Sequence, residues 1–511
     1  MLKSVFNNIL AALPIYILLL FRLGYEFGGG DQIEVLPYVM YLKNNALFQQ
    51  DLYIQSAAAA FPNERWFIIQ LIKIAPESLL YAWVMLLHIV FSLLLITGLL
   101  QCASLFVNNK LMQWLVVAAN LVILYLYAPG GNELYYNTLI ASLAAKGIAA
   151  WAVYYFFSKR FFVSVLLLIP VTWLHALVGL HLAALFFSVY ILTNIKEVKK
   201  HIATILKSLS VYLLLAVSFV LYIKHNTDSV QQYSQLSNTD FYQILFDFRN
   251  PHHYNPLHFS LKAYLLFSLL MPVALFSFRK NKMALYFVAF AILLFVVGSI
   301  NALYFKSIAI ASLQFFKVTI WLKFLGVVAI FKLSQAFAEK YFAKFLQYRF
   351  GFKQLLLLNL LFISVYFISE KVLFQNNIFK HSTYSSETDI SLKAKSNSAI
   401  NSVFIYPIHF TQFPFYSERS SYINFKAIAR EKNYIKQWAE RISTVYNVST
   451  NQKVKGFDVQ QVANDNFSKI NFEKTQLLKE KGITHIITFK THEIENLEII
   501  AENKDYKIYK L

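Results

Sequence analysis

A short polar stretch follows the first apolar run of the chain: Gly28-Gly29-Gly30-Asp31-Gln32-Ile33-Glu34-Val35-Leu36-Pro37. Of the 511 residues, 57% are hydrophobic and 14% are charged, and the mean hydropathy is +0.48. Soluble domains carry about 25% charged residues. The sequence therefore predicts a polytopic membrane protein whose first exposed loop presents carboxylates where the apolar sequence stops.

The formal net charge is +20, but the basic residues lie between apolar runs and are not gathered on one polar domain. Such a distribution indicates topology through the positive-inside rule, so we expect no nucleic-acid partner. The one cysteine, Cys102, lies in an apolar run, which excludes an internal disulfide and makes a thiol metal site implausible. Lys3 precedes the first run and no obvious cleavage site follows it, so we interpret this run as a retained signal anchor.

A membrane-spanning helix needs roughly 17–25 apolar residues, and the chain has about eleven such segments. The predicted spans are residues 5–23, 76–107, 111–128, 138–157, two within 161–193, 206–223, 261–278, 283–300, 308–333 and 355–374. We divide 161–193 near Pro170 and His175 because the basic clusters on either side then share the cytoplasmic face. The N-terminus is then cytoplasmic and the C-terminus lies outside.

The predicted fold is mainly α and polytopic, with a C-terminal α+β domain. Residues 1–374 form the membrane domain, with a first outer loop at 24–75, and residues 375–511 form the outer domain. Within the loop, 51–61 and 64–74 have the pattern of short interfacial helices. In the outer domain, 402–408, 483–489 and 506–509 are strand-like and 434–445 is helical.

The acidic loop offers the first candidates for chemistry. Asp31 and Glu34 fit a capping box, but Pro37 would then sit inside the helix and remove a backbone hydrogen bond. We therefore predict that residues 31–36 are extended, that the helix starts at Pro37, and that Asp31 and Glu34 serve catalysis. Asp51 either contributes to the same site or caps the next helix.

A second polar constellation is Arg249-Asn250-Pro251-His252-His253-Tyr254-Asn255-Pro256. Its two prolines fix the backbone of a segment that carries a guanidinium, two imidazoles and a phenol. Arginine can bind phosphate through two hydrogen bonds, and histidine can bind a sugar or move a proton. A plain polar loop is the alternative. Metal ligation by the adjacent histidines is weaker, because neighbouring side chains rarely converge on one ion.

Ionisable residues inside spans are functional candidates, because charge is costly in lipid. His175 lies at the predicted break and is a candidate for contact with a ligand. The alternative is a structural histidine that is hydrogen-bonded to a backbone carbonyl. Lys317 follows Gln314 on one predicted helix face and can neutralise a lipid phosphate or extend to the interface. Lys323 should not share its site, since it lies about 120° around the helix.

These features together resemble the GT-C superfamily, the polytopic glycosyltransferases that use polyprenyl-phosphate-linked sugars. The resemblance depends on Gly30-Asp31-Gln32 after the first span, about eleven spans and the outer α+β domain. More narrowly, Gly-Asp-Gln, His175 with Gly179, and Arg249-x-Pro-His-His-Tyr resemble a bacterial branch of such proteins. The resemblance implies an inner-membrane protein with a periplasmic C-terminal domain, in which Asp31 is the general base or helps to hold a divalent metal. The near-adjacent acidic pair of the family is represented only by Asp31 with Glu34, which puts metal dependence in doubt.

The predicted function is transfer of a sugar from a polyprenyl-phosphate-linked donor to an extracytoplasmic acceptor. Arg249, His252, His253, Tyr254, Lys317, His175 and Asp51 are the predicted substrate- and phosphate-binding residues. A transporter or flippase for a lipid-linked or anionic substrate, and a non-catalytic envelope scaffold, are the alternatives. The chain has no Walker loop and no His-Glu-x-x-His helix, so an ATP-driven pump or a metalloprotease is not expected.

Overall fold

The computed structural model describes residues 2–231, 235–341, 379–381 and 385–511, together with four single helical residues between 357 and 364. Apart from those four residues, the predicted span 355–374 lies outside the described residues, as does the predicted domain boundary at 374/375. The chain forms two compact units. The first comprises residues 1–25, 82–221 and 252–380, and the second comprises 26–81, 222–251 and 381–511.

The described residues are mostly helical. The helices up to residue 231 are α1 Leu2–Leu23, α2 Gln32–Lys43, α3 Leu52–Ala59, α4 Trp66–Lys73, α5 Leu80–Ser104, α6 Lys110–Ala118, α7 Ala141–Phe157, α8 Phe161–Leu174, α9 Ala176–Thr193, α10 Val198–Tyr212 and α11 Ser218–Gln231. Those after it are α12 Asn238–Tyr242, α13 Pro251–Tyr254, α14 Leu261–Phe278, α15 Lys282–Ile300, α16 Ile308–Ser312, α17 Thr319–Tyr341, α18 Ser386–Asn397, α19 Phe413–Ser417, α20 Lys432–Tyr446, α21 Val459–Phe467 and α22 Phe472–Glu480. The strands are β1 Tyr25–Phe27, β2 Phe379–His381, β3 Val403–Ile405, β4 Ser420–Ser421, β5 His485–Phe489, β6 Glu498–Glu502 and β7 Tyr506–Lys510.

Six helical segments of the described chain are long and apolar enough to cross a membrane, and three shorter apolar helices accompany them. The six are Glu77–Ser104, Ala176–Thr193, Ile195–Asp228, Leu261–Phe278, Lys282–Phe305 and Ile308–Tyr341. In the most apolar part of Ile308–Tyr341, 78% of the residues are buried, against 22% in Lys282–Phe305. The first half of α17, residues 319–329, therefore lies in the interior of the first unit, whereas α15 leaves most of its apolar surface outside the protein. The chain is a multi-pass membrane protein, as the composition predicts.

The segment 161–193 is two helices, which confirms the predicted break. His175 separates α8 from α9 with an extended backbone (φ −153°, ψ 97°). The two helices then approach closely, because a Cβ placed on Gly179 would lie 2.7 Å from the Cα atom of Thr172. Only a residue without a side chain fits there.

The predicted span 308–333 is not one helix, so the prediction that Gln314 and Lys317 share a helix face is wrong. The helix α16 ends at Ser312, Gln314 adopts a left-handed backbone (φ 48°), and a 3₁₀ turn over Phe315–Val318 leads into α17. The cause lies in partners distant in sequence, since the Gln314 side chain donates a hydrogen bond to the Tyr254 hydroxyl. This tertiary contact holds a conformation that local helix propensity does not favour.

The predicted helix start at Pro37 is also wrong. Helix α2 begins at Gln32 and contains Pro37. A proline inside a helix costs about 3 kcal/mol, but residues 32–39 are all buried, and that burial offsets the missing backbone hydrogen bond. No capping box forms either: Asp31 at the N-cap makes no side-chain cap hydrogen bond.

The C-terminal residues of the second unit form the predicted α+β domain. Its five-stranded mixed sheet has the order β4-β3-β5-β7-β6, with β3 parallel to β4 and β5, and β7 antiparallel to β5 and β6. Helices α18 and α19 cover the sheet through a core that includes Ile390, Phe404, Phe413 and Ile508. The predicted strands within 402–408, 483–489 and 506–509 and the helix at 434–445 are therefore confirmed.

Candidate functional site

A glycine turn of the first unit binds His253, one of the two adjacent histidines of the predicted motif. Gly130 and Gly131 both have positive φ (82° and 61°), and a Cβ on Gly130 would lie 2.7 Å from the Cβ of Phe316. The Gly130 carbonyl accepts hydrogen bonds from His253 Nδ1 (2.8 Å) and Asn132 Nδ2 (2.8 Å). Because a carbonyl only accepts, the neutral His253 ring carries its proton on Nδ1 and its lone pair on Nε2.

The neighbouring members of the Pro-His-His-Tyr motif are ordered by other contacts. The His252 and His253 rings have centroids 4.1 Å apart. Tyr254 is buried and accepts the hydrogen bond from Gln314 described above. The motif therefore contacts both the glycine turn and the segment between α16 and α17.

Two predicted intramembrane residues meet at the break between α8 and α9. Lys317 Nζ lies 3.1 Å from His175 Nε2, although 142 positions separate them in the sequence. A lysine ammonium only donates, so the His175 Nε2 atom accepts. Close by in the chain, His181 Nε2 donates to the Leu313 carbonyl at 2.7 Å. The first unit thus brings a lysine and a histidine, both half-buried, to one place.

The first unit also contains a fully buried ion pair between Glu133 and Lys323, whose side chains are 2% and 0% exposed. Lys323 Nζ donates in addition to the Leu124 carbonyl at 2.8 Å. Sequence reasoning did not identify Glu133, which directly follows the glycine turn at residues 129–132. As predicted, Lys323 and Lys317 do not share a site, since Lys323 is paired with Glu133 and Lys317 contacts His175.

Asp31, in the second unit, is exposed at the start of α2. The backbone around it is fixed by hydrogen bonds from the Gly28 N–H to the Gln32 side chain (2.7 Å) and from the Gln32 N–H to the Gly29 carbonyl (3.0 Å). A carboxylate on an ordered, solvent-facing helix start is accessible to a substrate.

Glu34 is buried at 5% exposure and forms an ion pair with Arg65. It also accepts a hydrogen bond from the Ile428 N–H at 2.9 Å, and Arg65 donates to the Tyr53 hydroxyl at 3.1 Å. Burial raises the pKa of the Glu34 carboxyl, and the Arg65 charge opposes that shift. Nothing in the sequence pattern indicates Arg65 as the partner.

Asp51 caps α3, which is the alternative that the sequence left open. Its two carboxylate oxygens accept hydrogen bonds from the N–H groups of Ile54 and Ser421, both at 3.0 Å. Asp51 is 3% exposed, and burial raises the pKa of its carboxyl to about 6 against the effect of these hydrogen bonds.

Arg249 is 3% exposed and bonded to backbone carbonyls. Its Nε donates to the Phe425 carbonyl at 2.9 Å, a terminal nitrogen donates to the Lys426 carbonyl at 3.3 Å, and the guanidinium lies 4.4 Å from the Phe425 ring centre. Burial lowers the pKa of this guanidinium to about 10.

Three predicted site residues of the second unit thus bind the backbone of one segment, residues 421–428. Asp51 binds its start, Arg249 its middle and Glu34 its end. These contacts give each residue a structural role, and their roles in catalysis and substrate binding remain predictions.

The described residues contain no group of three or more His, Cys, Asp or Glu side chains that could hold a metal ion. Glu34, the acidic neighbour of Asp31, is already paired with Arg65. Acidic metal sites need several oxygen ligands, and Asp31 with Glu34 does not provide them.

Residues 386–445 match a family described as a domain of unknown function, DUF6798. No curated protein matches the chain.

Solved structures that are similar to the chain include ArnT from Cupriavidus metallidurans in the apo state, with 12% identity over 100% of this chain and 98% of that chain and a TM-score of 0.45. The same protein bound to undecaprenyl phosphate gives 11% identity over 99% and 98%, with a TM-score of 0.44. The oligosaccharyltransferase of Archaeoglobus fulgidus, tethered with an acceptor peptide, gives 12% identity over 94% and 68%, with a TM-score of 0.37.

Proposed function

We propose that the chain is a GT-C-type glycosyltransferase of the bacterial inner membrane. It transfers a sugar from a polyprenyl-phosphate-linked donor to an extracytoplasmic acceptor, with the C-terminal domain in the periplasm. The contact between Lys317 and His175 carries the proposal. A lysine and a histidine among membrane-spanning helices form an environment suited to the phosphate of a lipid, because ionisable residues at membrane depth are functional candidates and an ammonium group donates charge-assisted hydrogen bonds to phosphate.

The reaction breaks the bond between the anomeric carbon and the phosphate oxygen, and the polyprenyl phosphate leaves with the bonding electron pair. Lys317, His175 and the His252–His253 pair offset the negative charge that develops on this phosphate. The buried Tyr254 accepts a hydrogen bond from Gln314, and this contact holds the adjacent His252 and His253 in place. Arg249 and Asp51 order the segment 421–428 of the second unit through hydrogen bonds to its backbone.

The acceptor hydroxyl attacks the anomeric carbon from the side opposite to the phosphate, so the configuration inverts. Asp31 accepts the hydroxyl proton as general base. Its exposed position at the start of α2 suits this role. Glu34 supports Asp31 through its ion pair with Arg65, which anchors the first turns of α2.

The test is Asp31→Asn in the purified full-length protein, assayed with a panel of radiolabelled polyprenyl-phosphate-linked hexoses, pentoses and aminosugars and with an envelope extract as acceptor. We expect transfer to fall at least about 100-fold, since general-base catalysis typically contributes factors of 10²–10⁴. Asp458→Asn removes another exposed carboxylate and is the matched control, with wild-type activity expected.

Transfer at the wild-type rate by Asp31→Asn would exclude the proposed base. Translocation of the lipid-linked sugars across proteoliposome membranes without any transfer would instead favour the transporter alternative.

A further inference from the structure

Glu133 uses all of its hydrogen-bonding groups within the first unit. Its N–H donates to the Tyr136 hydroxyl at 3.2 Å, and its carbonyl accepts from Lys146. One carboxylate oxygen accepts from the Ala128 N–H at 3.2 Å, and the other is paired with Lys323. The side chain therefore bridges the two ends of a loop, from residue 128 to residue 133, and ties the loop to α17.

The loop closed in this way contains the glycine turn. Thr319 belongs to α17, like Lys323. Its hydroxyl lies 2.9 Å from the Pro129 carbonyl and 2.7 Å from the Phe316 carbonyl, and these two acceptors share its one proton. The next carbonyl along the chain is that of Gly130, which accepts from His253 Nδ1. The position of this carbonyl determines the tautomer and the orientation of the His253 ring.

A buried ion pair contributes little to stability in itself, because desolvation offsets the attraction between the two charges. In some proteins such a pair instead specifies one conformation. In the first unit the Glu133–Lys323 pair specifies the conformation of the 128–133 loop. His253 is affected by that conformation, because its Nδ1 atom donates to the Gly130 carbonyl in the loop.

We propose that Glu133 is a positioning residue that acts through His253. With Lys323 as its counter-ion, it holds the Gly130 carbonyl where that carbonyl keeps a proton on His253 Nδ1, so that a second proton taken up at Nε2 gives an imidazolium ion that donates to the anionic phosphate. The importance of this effect for catalysis rests on the proposed function, in which His253 offsets charge on the lipid phosphate.

The first test compares two double variants. Glu133→Ala with Lys323→Met removes the ion pair without leaving a buried charge and also removes the acceptor for the Ala128 N–H. Glu133→Gln with Lys323→Met removes the charges but retains a carbonyl oxygen for that N–H, so it is the conservative rescue. We expect a mixture of His253 tautomers in the first variant and the wild-type tautomer in the second.

The ring nitrogens are observed by ¹⁵N NMR of the histidine-labelled full-length protein. The sequence has 12 histidines, and a spectrum of His253→Gln identifies the signal by subtraction. An unchanged His253 tautomer in folded Glu133→Ala/Lys323→Met would overturn the proposal. If that variant does not fold, Thr319→Val replaces it in the test, because it removes the hydrogen bond to the Pro129 carbonyl without changing a charge. The same tautomer shift is expected there, and its absence counts equally against the proposal.

The second test separates positioning from a general structural effect. We expect kcat/KM for the lipid-linked donor to fall about tenfold in Glu133→Ala/Lys323→Met, but not to fall further when these changes are added to His253→Gln, because residues that act as a unit are non-additive. Gln335→Met is the matched control. Gln335 is a buried polar residue of α17 that binds the N–H groups of Asn108 and Asn109, away from the turn.

Additive losses would show that Glu133 acts independently of His253 and would overturn the proposal. If the wild-type protein transfers no sugar, the proposed function fails, while the NMR comparison still decides whether Glu133 sets the state of His253.

Discussion

Asp51 shows how one residue can satisfy a local and a distant requirement together. Its carboxylate caps α3 through Ile54 and also receives the N–H of Ser421, 370 positions later. The sequence indicates the first contact, because an aspartate before an apolar segment is a common N-cap. The second contact brings burial, and burial changes the acidity of the group.

Asp51 should make the stability of the protein fall as the pH rises between about 4 and 7. Its pKa is raised to about 6 in the folded protein, against about 3.9 in an unfolded chain. In this interval the folded state binds more protons than the unfolded state, so unfolding becomes easier as the pH increases through 6. The variant Asp51→Asn cannot ionise, so the melting temperature of wild type minus that of the variant should decrease as the pH rises.

The exposed Asp458→Asn again serves as the control for the removal of a carboxylate. Parallel melting curves for wild type and Asp51→Asn from pH 4 to 7 would contradict the prediction.

At the scale of elements, the α8–α9 pair shows how a helix break creates a site. His175 is extended at the break, and its ring reaches Lys317 in the turn before α17. The contact between His175 and Lys317 depends on the close approach of the two helices at Gly179 and Thr172. A wider separation of the helices would move His175 away from Lys317.

Gly179→Ala should therefore disturb both stability and activity. The added methyl group would overlap the Thr172 side chain and lie 2.7 Å from its Cα atom, so one helix must shift. Overpacking of this kind costs about 1–3 kcal/mol. We expect a lower melting temperature together with slower sugar transfer.

The control for Gly179→Ala is Gly298→Ala in α15, where the nearest neighbouring atom is 3.3 Å from the added Cβ. We expect it to lower the melting temperature less than Gly179→Ala does. Equal melting temperatures for the two variants would contradict the packing argument.

At the scale of the whole molecule, the positions of the basic clusters and the number of helices between them together predict how the chain is oriented across the membrane. Lys159 and Arg160 precede α8, and Lys196, Lys199 and Lys200 follow α9. Two separate helices between them allow both clusters to lie on one side of the membrane. Arg279 and Lys280, between α14 and α15, are predicted on the same cytoplasmic side.

Cysteine labelling tests this orientation, because the native Cys102 is buried. In spheroplasts, a membrane-impermeant maleimide should label Glu480→Cys, an exposed position of the C-terminal domain. Lys280 is also exposed, and the cysteine of Lys280→Cys should react with the maleimide only after the membrane is permeabilised. The opposite pattern would place the C-terminal domain in the cytoplasm and exclude an extracytoplasmic transfer reaction.

The sequence by itself determined the class of fold. Long apolar runs must form helices in lipid, since every backbone group there needs an internal partner. The break at His175 and the strands of the C-terminal domain also followed from local pattern and charge. The helix start at Gln32 did not, because it depends on the burial of residues 32–39, which no local pattern reports.

Only the tertiary structure decided which polar residues meet. It paired Lys317 with His175, Glu34 with Arg65, and Glu133 with Lys323. These partners lie between 31 and 190 positions apart in the sequence, and no periodicity links them. A buried charge requires a partner, but the identity of that partner depends on how the helices pack, which a single sequence does not specify.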